Sequence, residues 1–236
     1  MTDGKIVAIT GAAGGLGPTV VRAFFNAGAC LAVAGRTEDS LVRLLDSLQV
    51  PPARRMATAV DLVDPGATTD WSRNVVERFG RVDVVAHLVG GYKGGASIAG
   101  IDPADWESLE KMLVRTTLNV ARAFAGPLSA GGRGRFLAVT SVKAQAPTAK
   151  SALYAMGKAA SDALVLALAD ELRGSGATAN LVVVDSIDVP ETRGKDPKKP
   201  YGKSTPAEEI AAAMLFLCSE GAATINGARL PLTGRG

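Results

Sequence analysis

Three residues of reactive type, Ser141, Tyr154 and Lys158, fall within one stretch of eighteen residues. Tyr154 and Lys158 are four positions apart in a segment of helical period, so their side chains lie one above the other on one helix face. Ser141 closes the apolar run 136–139, which is typical of a buried strand. A hydroxyl at that strand end can point to the same place as the phenol and the ammonium. The pattern therefore predicts an acid–base pair with a hydroxyl beside it.

The chemistry of such a group is proton transfer to or from an oxygen atom. An unperturbed tyrosine has a pKa near 10, which is too high for efficient proton exchange at neutral pH. An ammonium a few ångströms away stabilises the phenolate by roughly 3 kcal/mol, which lowers that pKa by about two units. We expect Tyr154 to be the general acid or base and Lys158 to lower its pKa. Ser141 would hydrogen-bond the substrate oxygen and stabilise the charge that develops there.

Short runs rich in Val, Ile and Ala alternate along the chain with longer amphipathic segments, as βαβ units around a parallel sheet require. The predicted strands cover 5–10, 29–34, 54–60, 82–89, 135–140, 178–184 and 228–232. The predicted helices cover 16–27, 38–49, 66–79, 104–128, 151–173 and 206–219. We expect an α/β, Rossmann-like, doubly wound three-layer sandwich around a mostly parallel seven-stranded sheet.

A glycine-rich turn, Thr10-Gly11-Ala12-Ala13-Gly14-Gly15-Leu16-Gly17, follows the first predicted strand and opens the first predicted helix. Glycines permit a tight turn and let the backbone approach a pyrophosphate, whose charge the helix N-terminus favours. The strand before the turn and the helix after it are the context that such a loop needs. We therefore predict a dinucleotide site at this turn.

The residue after the second predicted strand bears on which dinucleotide is bound. An Asp or Glu there usually holds a free ribose 2′-hydroxyl, whereas an Arg accommodates a 2′-phosphate. Arg36 occupies this place, so NADP(H) is favoured and NAD(H) is possible. The alternative is a solvated Arg at the start of a helix. Asp61, followed by Leu62, ends the third strand, where an Asp can also be a turn or N-cap residue.

Composition narrows the class of protein. The 236 residues are 47% apolar and 21% charged, which suits one domain over residues 1–236. The formal charge of +3 comes without a basic, aromatic-rich block, so we expect no nucleic-acid partner. Neither a signal-like start nor an apolar run near roughly 20 residues is evident, so we expect a cytoplasmic protein with no membrane partner. Cys30, Cys218 and the single His make neither a disulfide framework nor a metal site.

Taken together, the motifs resemble those of the short-chain dehydrogenase/reductase family over essentially the whole chain. They are the glycine loop, Asp61-Leu62, Gly90 after the fourth strand, and Ser141 thirteen residues before Tyr154-xxx-Lys158. The resemblance implies a homo-oligomer, a dimer or tetramer, that transfers hydride between NAD(P)H and a small-molecule carbonyl or alcohol. It also implies that Asp61 and Leu62 lie by the adenine ring and that Lys158 holds the nicotinamide ribose. The implied cofactor residues are Gly11, Gly15, Leu16, Gly17, Arg36, Asp61, Leu62, Gly90, Tyr154, Lys158 and Ile187.

The sequence departs from the family pattern around its catalytic centre. The family's Asn-Asn-Ala-Gly is here His87-Leu88-Val89-Gly90, and we expect His87 to be a satisfied polar residue rather than a proton-transfer group. The helix-borne Asn that relays protons behind the Lys has no direct counterpart. Asn119 is the candidate, with Thr116 or Thr117 as a substitute that orders a water molecule.

A third departure follows the sixth strand, where Val184-Asp185 and Val189 replace the usual Pro-Gly and Thr. Ile187 still falls at a position where the family uses backbone atoms. These departures leave a second function open, a dinucleotide-binding sensor or scaffold with weak or no turnover.

Two segments without clear periodicity, 90–102 and 185–205, are predicted as substrate-side loops. Tyr92, in the first of them, is expected to line the pocket. The second carries several basic residues, which either favour an acidic or CoA-linked substrate or belong to a solvated loop. These residues are Arg193, Lys195, Lys198, Lys199 and Lys203.

Overall fold

The computed structural model describes residues 4–190 and 204–233. Its strands are β1 (Ile6–Thr10), β2 (Cys30–Gly35), β3 (Arg55–Ala59), β4 (Val84–His87), β5 (Arg135–Ser141), β6 (Thr178–Val184), β7 (Ser186–Asp188), β8 (Ser204–Pro206) and β9 (Arg229–Pro231). Seven of them form one parallel sheet in the order β3-β2-β1-β4-β5-β6-β9. This arrangement confirms the predicted doubly wound α/β fold.

The helices that flank the sheet begin at local sequence signals. They are α1 (Gly17–Asn26), α2 (Glu38–Ser47), α3 (Pro65–Phe79), α4 (Pro103–Leu109), α5 (Thr116–Ala130), α6 (Ala152–Glu171) and α7 (Ala207–Leu217). The carboxylates of Asp64 and Asp102 accept hydrogen bonds from first-turn amides of α3 and α4, and a proline follows each of them. The sequence thus fixes where these two helices start.

Apolar side chains of the strands alternate between the two faces of the sheet. Val7 and Ile9 of β1 join the cluster formed with α1, α2 and α7. Ile6 and Ala8 of the same strand join the cluster formed with α3, α5 and α6. Because both faces are covered, the central strands are apolar along their whole length, and the molecule has three layers.

The sheet changes its winding direction at β1, which lies between β2 and β4. In open α/β sheets, ligands bind outside the carboxyl ends of the strands at such a switch point. Thr10, His87 and Ser141 are the last residues of β1, β4 and β5. The fold therefore brings the glycine loop and the predicted catalytic serine to one edge of the sheet.

The segment predicted as one helix over 104–128 contains an irregular middle. Between α4 and α5, residues Glu110–Arg115 form a π-helical turn. The hydroxyls of Thr116 and Thr117 donate hydrogen bonds to the backbone carbonyls of Met112 and Leu113. Ser161 of α6 also donates to the Leu113 carbonyl, at 2.9 Å. These side-chain donors stabilise the wider turn, which hydrophobic periodicity does not reveal.

The segment predicted as a loop over 185–205 contains two short strands where it is described. β7 and β8 pair in parallel outside the main sheet, with Ile187 opposite Thr205. The Thr205 hydroxyl donates a hydrogen bond to the carbonyl of Leu232, just after β9. This bond links the small pair of strands to the edge of the main sheet. The basic residues predicted for this segment, Arg193, Lys195, Lys198, Lys199 and Lys203, lie outside the described residues.

One stretch, Ala149–Glu171, is long and apolar enough to cross a membrane by length and composition, with a mean hydropathy of 1.3. This stretch differs from the expectation from the sequence, in which no apolar run of roughly 20 residues is evident. Most of the stretch is α6, whose Val165 and Leu168 are buried in the core beside the sheet. A core helix passes the same test of length and composition, so the finding is weak evidence for a membrane segment.

Candidate active site

The glycine loop makes a tight turn between β1 and α1. The amides of Gly14 and Gly17 donate to the carbonyls of Gly11 and Gly14, at 2.9 and 3.0 Å. Gly11 has a φ of +69°, which favours glycine. A Cβ atom at Gly17 would lie 2.1 Å from the carbonyl oxygen of Ala12, so only glycine fits there.

The same loop presents free hydrogen-bond donors at the start of α1. Among the described residues, the amides of Ala13, Gly15 and Leu16 have no acceptor. A Cβ atom at Gly15 would make only ordinary contact with the Val189 side chain, at 3.6 Å. Free amides at a helix N-terminus are suited to a phosphate group. The loop therefore fits the diphosphate of a dinucleotide.

Arg36 and Asp61 lie at the same sheet edge, because they follow the carboxyl ends of β2 and β3. The Arg36 side chain is exposed to solvent. The Asp61 carboxylate accepts a hydrogen bond from the Val63 amide at 2.9 Å, which fixes the turn. Leu62 packs into the core and is 7% exposed. This turn lies after the end of β3, the strand next to β2 in the sheet.

Asn119 supports that turn instead of lying beside Lys158. Its side-chain amide donates to the carbonyls of Leu62 and Val63, at 2.9 and 3.0 Å. The prediction of Asn119 as a relay behind Lys158 is therefore not supported by its contacts. Asn119 is buried in α5, beyond the π-helical turn that changes which residues face α6.

Ser141 and Tyr154 meet where β5 ends and α6 begins. Ser141 caps a short 3-10 turn, Val142–Ala144, and its hydroxyl accepts from the Lys143 amide at 3.2 Å. Thr148 and Ser151 form a capping box just before α6, which sets the entry of this helix. Tyr154 lies in its first turn, close enough to the Ser141 hydroxyl for that hydroxyl to lower the pKa of the phenol.

Lys158 lies one turn farther along α6 and is nearly buried, with 8% of its surface exposed. Its ammonium donates a hydrogen bond to the carbonyl of Val139 in β5, at 2.9 Å. A Cβ atom at Gly90 would lie 3.5 Å from the same nitrogen. The structure thus brings together Ser141, Tyr154, Lys158 and Gly90, as the sequence predicts.

Burial dominates the protonation of this group. It raises the pKa of Tyr154, and the Ser141 hydroxyl opposes that rise, so the predicted lowering of this pKa by Lys158 is wrong for the free site. It lowers the pKa of Lys158 to about 8, against the opposing charge of Asp162. At neutral pH Tyr154 is therefore a phenol and Lys158 is mostly an ammonium. This is the protonation state needed to deliver a proton to a carbonyl oxygen.

His87 is buried and fully hydrogen-bonded. Its Nδ1 lies 2.8 Å from the Thr10 hydroxyl, and its Nε2 lies 3.1 Å from the Thr117 hydroxyl. Burial, together with the smaller effect of the Lys158 charge, lowers the pKa of His87 to about 3. The ring is therefore neutral at physiological pH, in agreement with the predicted role of a satisfied polar residue. Thr117 is engaged in this chain of hydrogen bonds.

Tyr92 stands at the mouth of the site, in the glycine-rich segment after β4. Its ring packs edge-on against Tyr154, with centroids 5.1 Å apart. The Gly95 amide donates to the Lys150 carbonyl at 2.7 Å, and Lys93 pairs with Asp105. These contacts hold the segment beside Tyr154, and the role of Tyr92 in lining a substrate pocket stays a prediction.

Ile187 and Val189 lie on the opposite side of the mouth, after β6. Both side chains are partly buried and pack against the core below the sheet. Asp185 forms a 3.7 Å ion pair with Lys143, which follows the Ser141 strand end. This side of the candidate site is thus bordered by apolar side chains and one ion pair.

Comparisons with known proteins identify the family. The family described as short chain dehydrogenase matches residues 5–199. The chain belongs to the short-chain dehydrogenase family. It is accordingly an oxidoreductase that acts on alcohol or carbonyl groups with a nicotinamide cofactor, as the motifs imply.

Individual relatives and solved structures align with nearly the whole length of this short-chain dehydrogenase. The chain is 29% identical over 241 residues to meso-2,3-butanediol dehydrogenase of Serratia marcescens, covering 98% of this chain and 94% of the relative. A solved short-chain type dehydrogenase/reductase from Mycobacterium ulcerans has a TM-score of 0.90 at 23% identity, covering 99% and 90% of the two chains. The 3-ketoacyl-(acyl-carrier-protein) reductase from Brucella melitensis, complexed with NADH, has a TM-score of 0.88 at 23% identity, covering 100% and 99%. Because these two solved structures are only 23% identical to this chain, their likeness establishes the shared fold alone.

Two features of the dehydrogenase site are not evident from the sequence. The hydrogen-bond chain through Thr10, His87 and Thr117 joins residues from three separate elements. Asp162 is fully buried on α6, one helical turn after Lys158. The spacing of four between these two residues is the sequence feature that could have indicated their proximity. Within the described residues, no group of three His, Cys, Asp or Glu side chains is arranged to hold a metal ion.

Proposed function

We propose that the protein is an NADP(H)-preferring oxidoreductase that transfers hydride between the nicotinamide and a small-molecule carbonyl or alcohol. The observation that carries this proposal is the convergence of Ser141, at the end of β5, with Tyr154 and the nearly buried Lys158 on successive turns of α6. These three groups face the sheet edge that also holds the glycine loop. A proton donor and a dinucleotide cradle at one edge suit carbonyl reduction.

In this proposal each of the three residues has a separate task. Tyr154 donates its phenolic proton to the carbonyl oxygen, or accepts it when an alcohol is oxidised. The ammonium of Lys158 stabilises the phenolate left on Tyr154. Ser141 hydrogen-bonds the substrate oxygen and fixes its distance from the phenol. The nicotinamide cofactor, when bound, supplies or takes up the hydride.

The cofactor would extend along the strand ends from β3 to β6. The amides of the glycine loop, at Gly15 and Leu16, would hold the diphosphate, and the Asp61–Leu62 turn would border the adenine. Lys158 and Gly90 would contact the nicotinamide ribose, with Ile187 beside the nicotinamide. Arg36 is the residue proposed to favour the 2′-phosphate, because it is exposed and cationic at the end of β2.

Arg36→Ala provides the test of this preference for NADP(H). Removing the guanidinium should weaken NADPH binding at least about tenfold, as loss of a charge-assisted phosphate contact does. NADH binding should change little, because NADH has no 2′-phosphate. Fluorescence titrations of both cofactors measure the two affinities. Equal losses for the two cofactors would instead mean that Arg36 supports the loop in general.

Three wider features belong to the same proposal. The chain is proposed to be one domain over residues 1–236, since both apolar clusters pack on one sheet. It is proposed to form a homo-oligomer, a dimer or tetramer, because Leu118 of α5 and Met156 of α6 expose large apolar side chains. A cytoplasmic location is supported by the unpaired Cys30 and Cys218.

A screen for turnover separates an enzyme from a dinucleotide-binding sensor. The protein would be mixed with NADPH or NADH and a panel of ketones, aldehydes and quinones, and with NADP⁺ or NAD⁺ and secondary alcohols. Absorbance at the nicotinamide band reports hydride transfer. We expect turnover of at least one small carbonyl or alcohol. Tight NADPH binding without turnover across the panel would favour the sensor.

A further inference from the structure

Asp162 is a buried carboxylate that the proposed reaction does not use. It follows Tyr154 by eight positions and Lys158 by four on α6, so all three lie on one face of the helix. Its side chain is 1% exposed. Carboxylates are seldom buried so fully unless a partner or a function requires their charge.

The surroundings of Asp162 hold it against the back of the site. Arg229 of β9 donates a hydrogen bond to its Oδ2 at 2.5 Å. Burial raises the pKa of Asp162, and the Thr140 hydroxyl together with the charges of Arg229 and Lys158 opposes that rise. Neither Asp162 Oδ1 nor Thr140 Oγ1 makes a hydrogen bond of regular geometry within the described residues. The ion pair with Arg229 favours the charged carboxylate, whose Oδ1 is left without a hydrogen-bond partner.

Thr140 links the Asp162 carboxylate to the part of β5 that contacts Lys158. It lies in β5 between Val139, whose carbonyl accepts from Lys158, and Ser141. The carboxylate is thus next to the segment of β5 that fixes both the ammonium and the serine hydroxyl.

We propose that Asp162 is a positioning residue that keeps the Lys158 ammonium charged and bound to Val139, and that Arg229 fixes Asp162 in place. The inference rests on the proposed function, because it gives Lys158 its role in catalysis. Asp162 acts through Lys158 and does not itself contact the substrate.

The other ionisable groups around Lys158 do not supply this charge. His87 of β4 is neutral and Tyr154 is a phenol, whereas Asp185 after β6 is paired with Lys143. Burial lowers the pKa of Lys158, and Asp162 is the carboxylate that raises it. Without that carboxylate, burial would favour the neutral amine, which stabilises a tyrosinate poorly.

The test is a direct titration of Lys158 in the full chain, free of substrate. The protein is labelled with ¹³C at the lysine ε-carbons, and the Lys158 signal is identified by its loss in Lys158→Arg. Asp162→Asn keeps the shape of the side chain and removes its charge. We expect the titration midpoint of Lys158 to fall by about one pH unit or more in this variant.

Two further variants separate charge from packing. Asp162→Glu adds a methylene to a tight site but keeps the charge, so the Lys158 midpoint should stay near that of the unaltered protein. Asp170→Asn removes an exposed carboxylate of the same helix, which pairs with Arg173, and should leave the midpoint unchanged. If Asp162→Asn does not fold, its combination with Arg229→Met removes the stranded cation as well, and the same fall is expected.

An unchanged midpoint in Asp162→Asn, or equal shifts in Asp162→Asn and Asp162→Glu, would overturn the inference. The titration requires no turnover, so it stays readable even if the proposed enzymatic function is wrong. Conversely, a protein that reduces carbonyls but shows no shift would reject the role of Asp162 and leave the proposed function intact.

Discussion

The Nδ1 atom of His87 accepts a hydrogen bond from the Thr10 hydroxyl, so the neutral ring carries its proton on Nε2. The assignment follows from Thr117, which donates its own hydrogen to the Leu113 carbonyl at 2.5 Å. Thr117 must then accept from His87 Nε2–H, which leaves Nδ1 as the acceptor. A neutral ring of this tautomer satisfies the whole chain of hydrogen bonds from β1 to α5. Protonation of the ring would force the Thr10 hydroxyl to rotate and accept from Nδ1–H instead of donating to it.

This relationship predicts how acid destabilises the fold. His87 is the single histidine of the chain, and burial lowers its pKa from 6.5 to about 3. Between these values the unfolded chain binds a proton at His87 and the folded chain does not, so stability falls as the pH falls. Relative to His87→Gln, the protein should lose about 1.4 kcal/mol of unfolding free energy per pH unit below about pH 6.5.

Urea denaturation of both proteins over the range from about pH 4 to pH 8 measures this difference. Above pH 6.5 the difference between them should be constant, because His87 is then neutral in both states. Parallel pH dependences for the two proteins would mean that His87 accepts a proton in the folded state.

Two glycines of the cofactor loop should respond differently to substitution. Gly17→Ala places a Cβ atom 2.1 Å from the Ala12 carbonyl, so the backbone must shift and the fold should lose about 2–4 kcal/mol. Gly15→Ala makes ordinary contact with Val189 at 3.6 Å and should leave the unfolding free energy nearly unchanged. Because Gly15 lies in the loop proposed to hold the diphosphate, NADPH affinity should still fall.

Denaturation and NADPH titration of the same preparations separate these two effects. A stable Gly17→Ala protein with normal NADPH affinity would contradict the geometry of the turn. Unchanged NADPH binding by Gly15→Ala would show that the cofactor does not approach this glycine.

Asn119 is expected to act on cofactor binding and stability rather than on the chemical step. Asn119→Ala removes the donors to the Leu62 and Val63 carbonyls, which should cost about 1–3 kcal/mol of stability. The loosened turn should weaken NADPH binding, while kcat at saturating NADPH should stay unchanged. Asn74→Ala, at an exposed position of α3, is the control and should alter neither quantity. A fall in kcat without a change in NADPH affinity would restore Asn119 as a relay residue.

Most of the fold is predictable because the local pattern of apolar residues indicates which segments are buried strands and which are amphipathic helices. The seven strands of the main sheet all lie at the positions that the sequence predicts, within a few residues. The π-helical turn at Glu110–Arg115 is different, because it depends on hydroxyl donors from α5 and α6. The pairing of β7 with β8 likewise depends on contacts between residues distant in the chain.

The site divides in the same way. Ser141, Tyr154 and Lys158 are predictable because a strand end and a spacing of four fix where their side chains point. Asn119 is misplaced because the π-helical turn shifts which residues face α6, which no regular helical period anticipates. The burial of Asp162 is not predictable from the sequence, because an acidic residue in a helix is usually exposed.

The most direct measurement of the central claim is the turnover of Tyr154→Phe, with Tyr92→Phe as the control at a neighbouring ring 5.1 Å away. Using NADPH and a carbonyl found by the screen, we expect Tyr154→Phe to lower kcat by about 10²–10⁴-fold, because the proton donor is lost. NADPH affinity should remain, and Tyr92→Phe should keep most of its turnover. Full turnover by Tyr154→Phe would contradict the assignment of Tyr154 as the acid and base of this site.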